Sequence, residues 1–208
     1  MIPAYDENIV EYGMDNLGTA MDYAVNILHI DGQEFLTLFQ TTGVAKEFGA
    51  GNYKYVTGMS GKEMADDVLR ISGKKYNEVD SDVTIDYSPE YWCGWILAYY
   101  QWFTGLSFKK LLPILTFDLL MNSYGVLHEA GENKAAEVFD SIVRKESFLA
   151  RMRKNRGFTQ AELAKETGVS LRSIQLYEQR KNDISRAQYN NLRDIAKVLS
   201  CEIEDILE

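Results

Sequence analysis

The sequence predicts an all-α chain in two parts, a helical N-terminal domain over residues 1–146 and a smaller helical domain over 147–208. Three observations lead there. Apolar residues recur at 3.6-residue spacing in one segment after another, capping residues stand where each of those segments should begin, and the charge changes sign along the chain. Residues 1–144 carry 10 basic and 21 acidic side chains, a net of −11, whereas residues 145–200 carry 12 basic and 6 acidic, a net of +6. The last eight residues then add Glu202, Glu204, Asp205 and Glu208. With 46% hydrophobic residues the chain can form a real core. A polyanion would be attracted to one end of it and repelled by the other.

In the N-terminal part, Leu17, Met21, Ala24, Val25 and Leu28 give Met14–Leu28 one apolar face, with Gly18 as a weak point. Asp31 to Glu34 has the spacing of a capping box opening a helix through Phe35, Leu38 and Phe39. Thr42–Phe48 is a short helix ended by Gly49, and a second capping box, Ser60 with Glu63, starts a helix to about Ile71 that Gly73 ends. Ser88 and Pro89 supply the N-cap and first residue of an aromatic helix that Gly105 can end. Pro113 interrupts the next stretch, which resumes through Leu115, Leu119 and Leu120 to about Tyr124. Asn133–Arg144 has Ala135, Val138, Phe139 and Ile142 on one face. Lys54–Thr57 and Val83–Asp86 have strand composition, but at four residues each they suit extended loops better than a sheet. The sequence leaves open whether Ser147 caps a new helix or one long helix joins the two parts.

The C-terminal part is punctuated more regularly. A first helix buries Leu149 and Met152 and ends near Gly157. Thr159, with Glu162 three residues on, caps a second helix that faces Leu163 and Ala164 inward and ends at Thr167-Gly168. Gly168 permits the positive φ that a sharp turn between helices needs, and Val169 fills the angle. Ser170 caps a third helix with Ile174 and Tyr177 inward and Leu171, Arg172, Gln175, Leu176 and Gln179 outward. A fourth helix near Gln188–Leu199 and a last turn at Ile203–Leu207 close the core.

The segment RGFTQAELAKETGVSLRSIQLYEQRK carries spacing, caps and inward residues that agree together, and it resembles the Cro/C1-type (XRE-type) helix-turn-helix family. That resemblance covers Ser147 to Glu208 and implies a five-helix, lambda-repressor-like domain whose third helix lies in the major groove of double-stranded DNA. It implies base reading by Leu171, Arg172, Gln175 and Leu176, the two leucines standing where polar residues are more usual; an apolar side chain there can pack on a thymine methyl. It implies phosphate contacts from Gln160, Gln179, Arg180 and Lys181. Arg153 and Glu178 match a family pair that ties the first helix to the third. The family often has Gly where this chain has Arg180, so either Arg180 is left-handed or the turn differs.

Other chemistries find little support. His29 and His128 stand alone, and Cys93 and Cys201 lack partner spacing, so neither a metal site nor a disulfide is expected. Glu47, Glu63, Asp66, Asp67 and Glu90 are scattered with no His nearby, and Gly49-Ala-Gly51 lacks the Lys-Ser/Thr of a phosphate loop. No enzyme activity and no cofactor are therefore expected. Tyr91–Phe108 is an uncharged run of 18 residues, but its polar residues, two glycines and evenly spread aromatics suit a buried helix better than a membrane span. The stripe Trp92, Trp95, Tyr99, Trp102, Phe103 and Leu106 reads as core; any exposed part of it would serve a protein partner or a dimer. The acidic N-terminus is no secretory signal, and a cytoplasmic location is expected. Two functions then compete: a transcriptional regulator, foremost a repressor, whose N-terminal domain dimerises it or senses a signal, and an antitoxin-like protein whose N-terminal domain holds a toxin partner while the helix-turn-helix represses the shared operon.

Overall fold

A computed structural model describes residues 3–76 and 87–208, and the segment Val83–Asp86 lies outside the described residues. Those residues form helices and connecting turns, with no strand among them. They divide into two compact units, Met1–Val143 and Arg144–Glu208.

The N-terminal unit is built around α1 (Val10–Asp22), which packs most extensively on the aromatic helix α6 (Pro89–Thr104). They approach closely at Gly94, where an added Cβ would run into the Leu17 carbonyl oxygen. Only a residue without a side chain lets the two backbones meet there. Beyond Asp22 the helix widens into a π-turn over Tyr23–Ile27, and His29 turns the chain at φ 55°. Helix α2 (Gly32–Thr41) begins on a half-formed box. Asp31 accepts from the Glu34 N–H, but the Glu34 carboxylate reaches Lys74 Nζ at 2.6 Å instead of returning to the cap.

Helix α3 (Val44–Gly49) is followed by α4 (Tyr53–Val56), which corrects the extended reading of Lys54–Thr57. Asn52 caps α4 by accepting from the Lys54 N–H, and the β-branched composition yields to that cap and to burial of Tyr55 and Val56. Helix α5 (Gly61–Ser72) has the complete box, Ser60 and Glu63 bonding each other's backbone N–H. Ser88 and Pro89 open α6 as expected. After it come α7 (Phe108–Leu111), α8 (Phe117–Leu127) and α9 (Glu132–Val143). The cap of α8 is Thr116, so Leu115 belongs to the preceding turn. Phe39, Phe48 and Phe108 meet mutually with centroids 5.2–5.9 Å apart, and Tyr100 meets Phe139 edge-on at 5.8 Å. Of the aromatic stripe, Trp92, Tyr99, Trp102 and Leu106 are buried, while Trp95 and Phe103 are half-buried.

The C-terminal unit holds five α-helices: α10 (Phe148–Asn155), α11 (Gln160–Thr167), α12 (Leu171–Glu178), α13 (Tyr189–Leu199) and α14 (Ile203–Ile206). Ser147 ends the ambiguity left by the sequence, because its side chain accepts from the Ala150 N–H and opens α10 as a separate helix. Leu149, Leu163, Val169, Ile174, Ile184, Leu192, Ile195, Leu199 and Ile206 form one core. Tyr177 is only half-buried on its margin, where the sequence had placed it fully inside. It packs against that core from its edge without being enclosed by it.

Candidate nucleic-acid interface

Helices α11 and α12 are set by their ends. Thr159 accepts from the Glu162 N–H while Glu162 accepts from the Thr159 N–H at 2.8 Å, so two orphan donors of α11 are satisfied. The Glu162 carboxyl is held below its ordinary value, first by that backbone N–H and then by the Thr159 side chain. Gly168 ends α11 at φ 71°, and Val169, buried beneath the turn, fixes the angle at which α12 leaves. Ser170 then caps α12 by accepting from the Ser173 N–H.

A polar bolt locks α12 from behind. Arg153 on α10 donates from Nε and Nη2 to the two Glu178 oxygens at 2.6 and 2.9 Å, and from Nη1 to the Phe158 carbonyl at 2.7 Å. The two side chains are only 11% and 6% exposed, so the pair is largely removed from water. The Glu178 hydrogen bond raises the pKa of Arg153 and keeps it charged. Gln160, first residue of α11, also donates to Glu178 Oε2 at 2.7 Å. One carboxylate thus joins α10, α11 and α12, and the bidentate fork fixes orientation as well as distance.

With Ile174 fully buried, the opposite face of α12 is presented outward. Leu171 is 40% exposed and Arg172 is exposed, with Gln175 and Leu176 half-buried beside them. Gln179 and Lys181, past the helix end, are exposed. Gln160 is half-buried, its side-chain amide already engaged with Glu178. These expected residues therefore sit on one helix-turn-helix and its flanks.

Arg180 behaves differently from the other seven. It is left-handed, at φ 54°, the first of the two alternatives left by the sequence. Its guanidinium is turned onto its own domain rather than toward a ligand. Nε donates to Glu208 Oε2 at 2.8 Å, Nη1 to the Arg144 carbonyl at 2.9 Å and Nη2 to the Glu146 carbonyl at 2.8 Å. These bonds offset the cost of a conformation that glycine would adopt freely. The sequence carried no local signal for them, since the acceptors lie 28 to 36 residues away.

Four of the five scattered carboxylates of the N-terminal unit have structural partners, and Asp66 keeps one carboxylate oxygen buried without a hydrogen bond. Glu47 accepts from Asn52, Glu90 from Asn26, Glu63 completes the α5 box, and Asp67 holds Lys54 and Arg70. Burial pushes the Cys93 thiol up to about 12, which leaves little thiolate at neutral pH. Among the described residues no helix is long and apolar enough to cross a membrane, and no group of three or more His, Cys, Asp or Glu is placed to hold a metal ion.

Five short helices, a glycine-hinged turn and an exposed helix locked from behind define a helix-turn-helix domain. Comparison with known families agrees: residues 149–206 match the helix-turn-helix family of Cro/C1 type, a family of DNA-binding transcription regulators. No curated protein and no solved structure matches the chain.

Proposed function

We propose that the chain is a sequence-specific transcriptional repressor that acts as a homodimer, its C-terminal domain laying α12 in the major groove. The observation that carries this is the exposed outer face of α12, held rigid by the Arg153–Glu178–Gln160 bolt within a region matching a DNA-binding family. Arg172 stands two residues into that helix, where a guanidinium reaches O6 and N7 of a guanine bidentately. Leu171, Gln175 and Leu176 flank it and complete base reading. Gln160 at the start of α11 and Gln179 and Lys181 beyond α12 face the phosphates. Gln160 retains a second N–H on the amide that bonds Glu178, so it can serve both. Arg180 is left out of the contact set because its fork is engaged within the domain. The +6 charge of residues 145–200 favours this polyanion. The N-terminal unit is the proposed site of dimerisation, which places two half-sites about 34 Å apart.

The test is selection of genomic fragments by the full chain, followed by binding isotherms on the enriched and a scrambled duplex at two salt concentrations. Arg172→Ala should cost about 1–3 kcal/mol on the enriched duplex and far less on the scrambled one. Lys181→Ala should weaken both alike and lower the salt slope by about one. Failure to enrich any sequence overturns the function, and equal loss on both duplexes overturns the base-reading role of Arg172. A strictly monomeric chain on the enriched duplex overturns the dimer. Purification of the chain from its host with one stoichiometric small protein would move the reading to the antitoxin class.

A further inference from the structure

A cavity of about 350 Å³ opens on the N-terminal unit between α1, α6 and α8. Its walls are Tyr91, Trp92 and Trp95 of α6, Tyr124 and His128 at the end of α8, and Tyr87 just ahead of α6, with the Asp15 carboxylate of α1 at one side. This constellation lies outside the DNA-binding domain, and the reading above does not use it.

The rings are set as intersecting walls rather than as a packed stack. Tyr87 and Tyr91 stand perpendicular, at 90° with centroids 5.0 Å apart, and Trp92 meets Tyr124 at 73° and 5.6 Å. His128 is stacked on Tyr124 at 4.3 Å and covers one face of that ring. Tyr91 and Trp92 are anchored by burial, Trp95 and Tyr124 are half-buried, and Tyr87 is 84% exposed. The cavity therefore has a rigid floor and an open mouth. Tyr91 donates its hydroxyl hydrogen to Asp15 Oδ1 at 2.7 Å, which steers the carboxylate against the ring wall.

Apart from the His128 imidazole, which stands 3.6 Å from the Glu129 carboxylate, the electrostatics are of one sign. Ring faces carry negative potential, Asp15 adds a full negative charge, and no Lys or Arg lines the cavity among the described residues. A neighbouring cleft of about 750 Å³ shares Asp15 and Trp95 and adds Glu7, Glu11 and Glu132, again with no basic residue. An anion is disfavoured throughout. A neutral polar solute would find few partners, because aromatic carbon makes most of the wall. A primary ammonium would bring three N–H donors to a site with one carboxylate, and donors without partners in an apolar cavity are costly. An alkylated ammonium has no such need and is drawn to ring faces by its diffuse charge.

We propose that this cavity binds a small, free quaternary alkylammonium solute, held by cation–π contact with Trp92, Trp95 and Tyr124 and by the charge of Asp15. The volume lies at the small end of small-molecule sites and suits a trimethylammonium head with a short tail.

The test titrates the full chain with choline while following indole fluorescence, since Trp92 and Trp95 both line the site. The uncharged carbon analogue 3,3-dimethyl-1-butanol has nearly the same shape and isolates the contribution of charge. Choline should saturate and the carbon analogue should bind at least about tenfold more weakly. Trp95→Leu and Asp15→Asn should each lower choline affinity about three- to tenfold. Tyr124→Leu serves as a second ring variant where Trp95→Leu unfolds the unit. Equal binding of choline and its carbon analogue overturns the proposal, as does no binding of either at tens of millimolar. Binding of a trimethyl-lysine peptide or of phosphatidylcholine vesicles without binding of choline overturns the assignment to a free solute.

Discussion

Replacing Arg153 by Met tests the bolt on which the orientation of α12 depends. The substitution keeps the length of the aliphatic stem and removes three charge-assisted donors, two to Glu178 and one to the Phe158 carbonyl. Breaking a buried pair from one side costs about 3–5 kcal/mol because it strands the other charge. Here Glu178 keeps one donor, Gln160, so the lower end applies and about 3 kcal/mol is expected. For a domain of this size that corresponds to a fall in Tm on the order of 15 °C. All three tryptophans, Trp92, Trp95 and Trp102, lie in the N-terminal unit, so far-UV ellipticity of the full chain must report the loss while indole emission separates it from damage there. Pairing Arg153→Met with Glu178→Leu removes both charges, and most of the lost stability should return. A single substitution costing less than about 1 kcal/mol, or a double one no better than the single, would refute the argument.

Arg180→Ala keeps the left-handed strain and loses the three bonds, whereas Arg180→Gly loses the same bonds without the strain; the glycine variant should be more stable by about 1 kcal/mol in urea unfolding. Gly94→Ala forces a methyl onto the Leu17 carbonyl, so the N-terminal unit should lose about 1–3 kcal/mol by indole-monitored unfolding; an unchanged midpoint would mean the two helices are not in such close contact. Glu162 has a folded pKa below its ordinary 4.5, so its contribution is complete above that value and lost as pH falls through the lower folded value. Glu162→Gln should accordingly flatten that part of the acid limb of far-UV ellipticity and leave the neutral limb in place.

What the sequence showed of the fold followed the range of the forces involved. Caps act within four residues, which is why Ser60, Ser88, Thr159 and Ser170 all mark true helix starts. Where a cap and a composition disagreed, at Asn52 ahead of Tyr53–Val56, the cap decided, because β-propensity mostly expresses packing on a sheet and no sheet is present among the described residues. The Asp31–Glu34 spacing was read as a full box, yet Lys74, 40 residues away, takes the Glu34 carboxylate. A local pattern shows where a side chain can go, and a distant partner settles where it goes.

The same division runs through the candidate interface. The outward register of Leu171, Arg172 and Gln175 was legible because one buried residue, Ile174, fixes the phase of the whole helix. The engagement of Arg180 was not, since it depends on where the chain ahead of α10 and the final residue, Glu208, come to rest. At φ 54° its long donor fork reaches three acceptors, and those bonds offset the strain of the left-handed backbone. The arginine expected to add a positive charge for a polyanion has all three guanidinium nitrogens bonded within its own domain in this structure. In the proposed function, Arg172 within α12 and Lys181 beyond it carry the charge toward DNA, and the two substitutions proposed above are chosen to separate reading from holding.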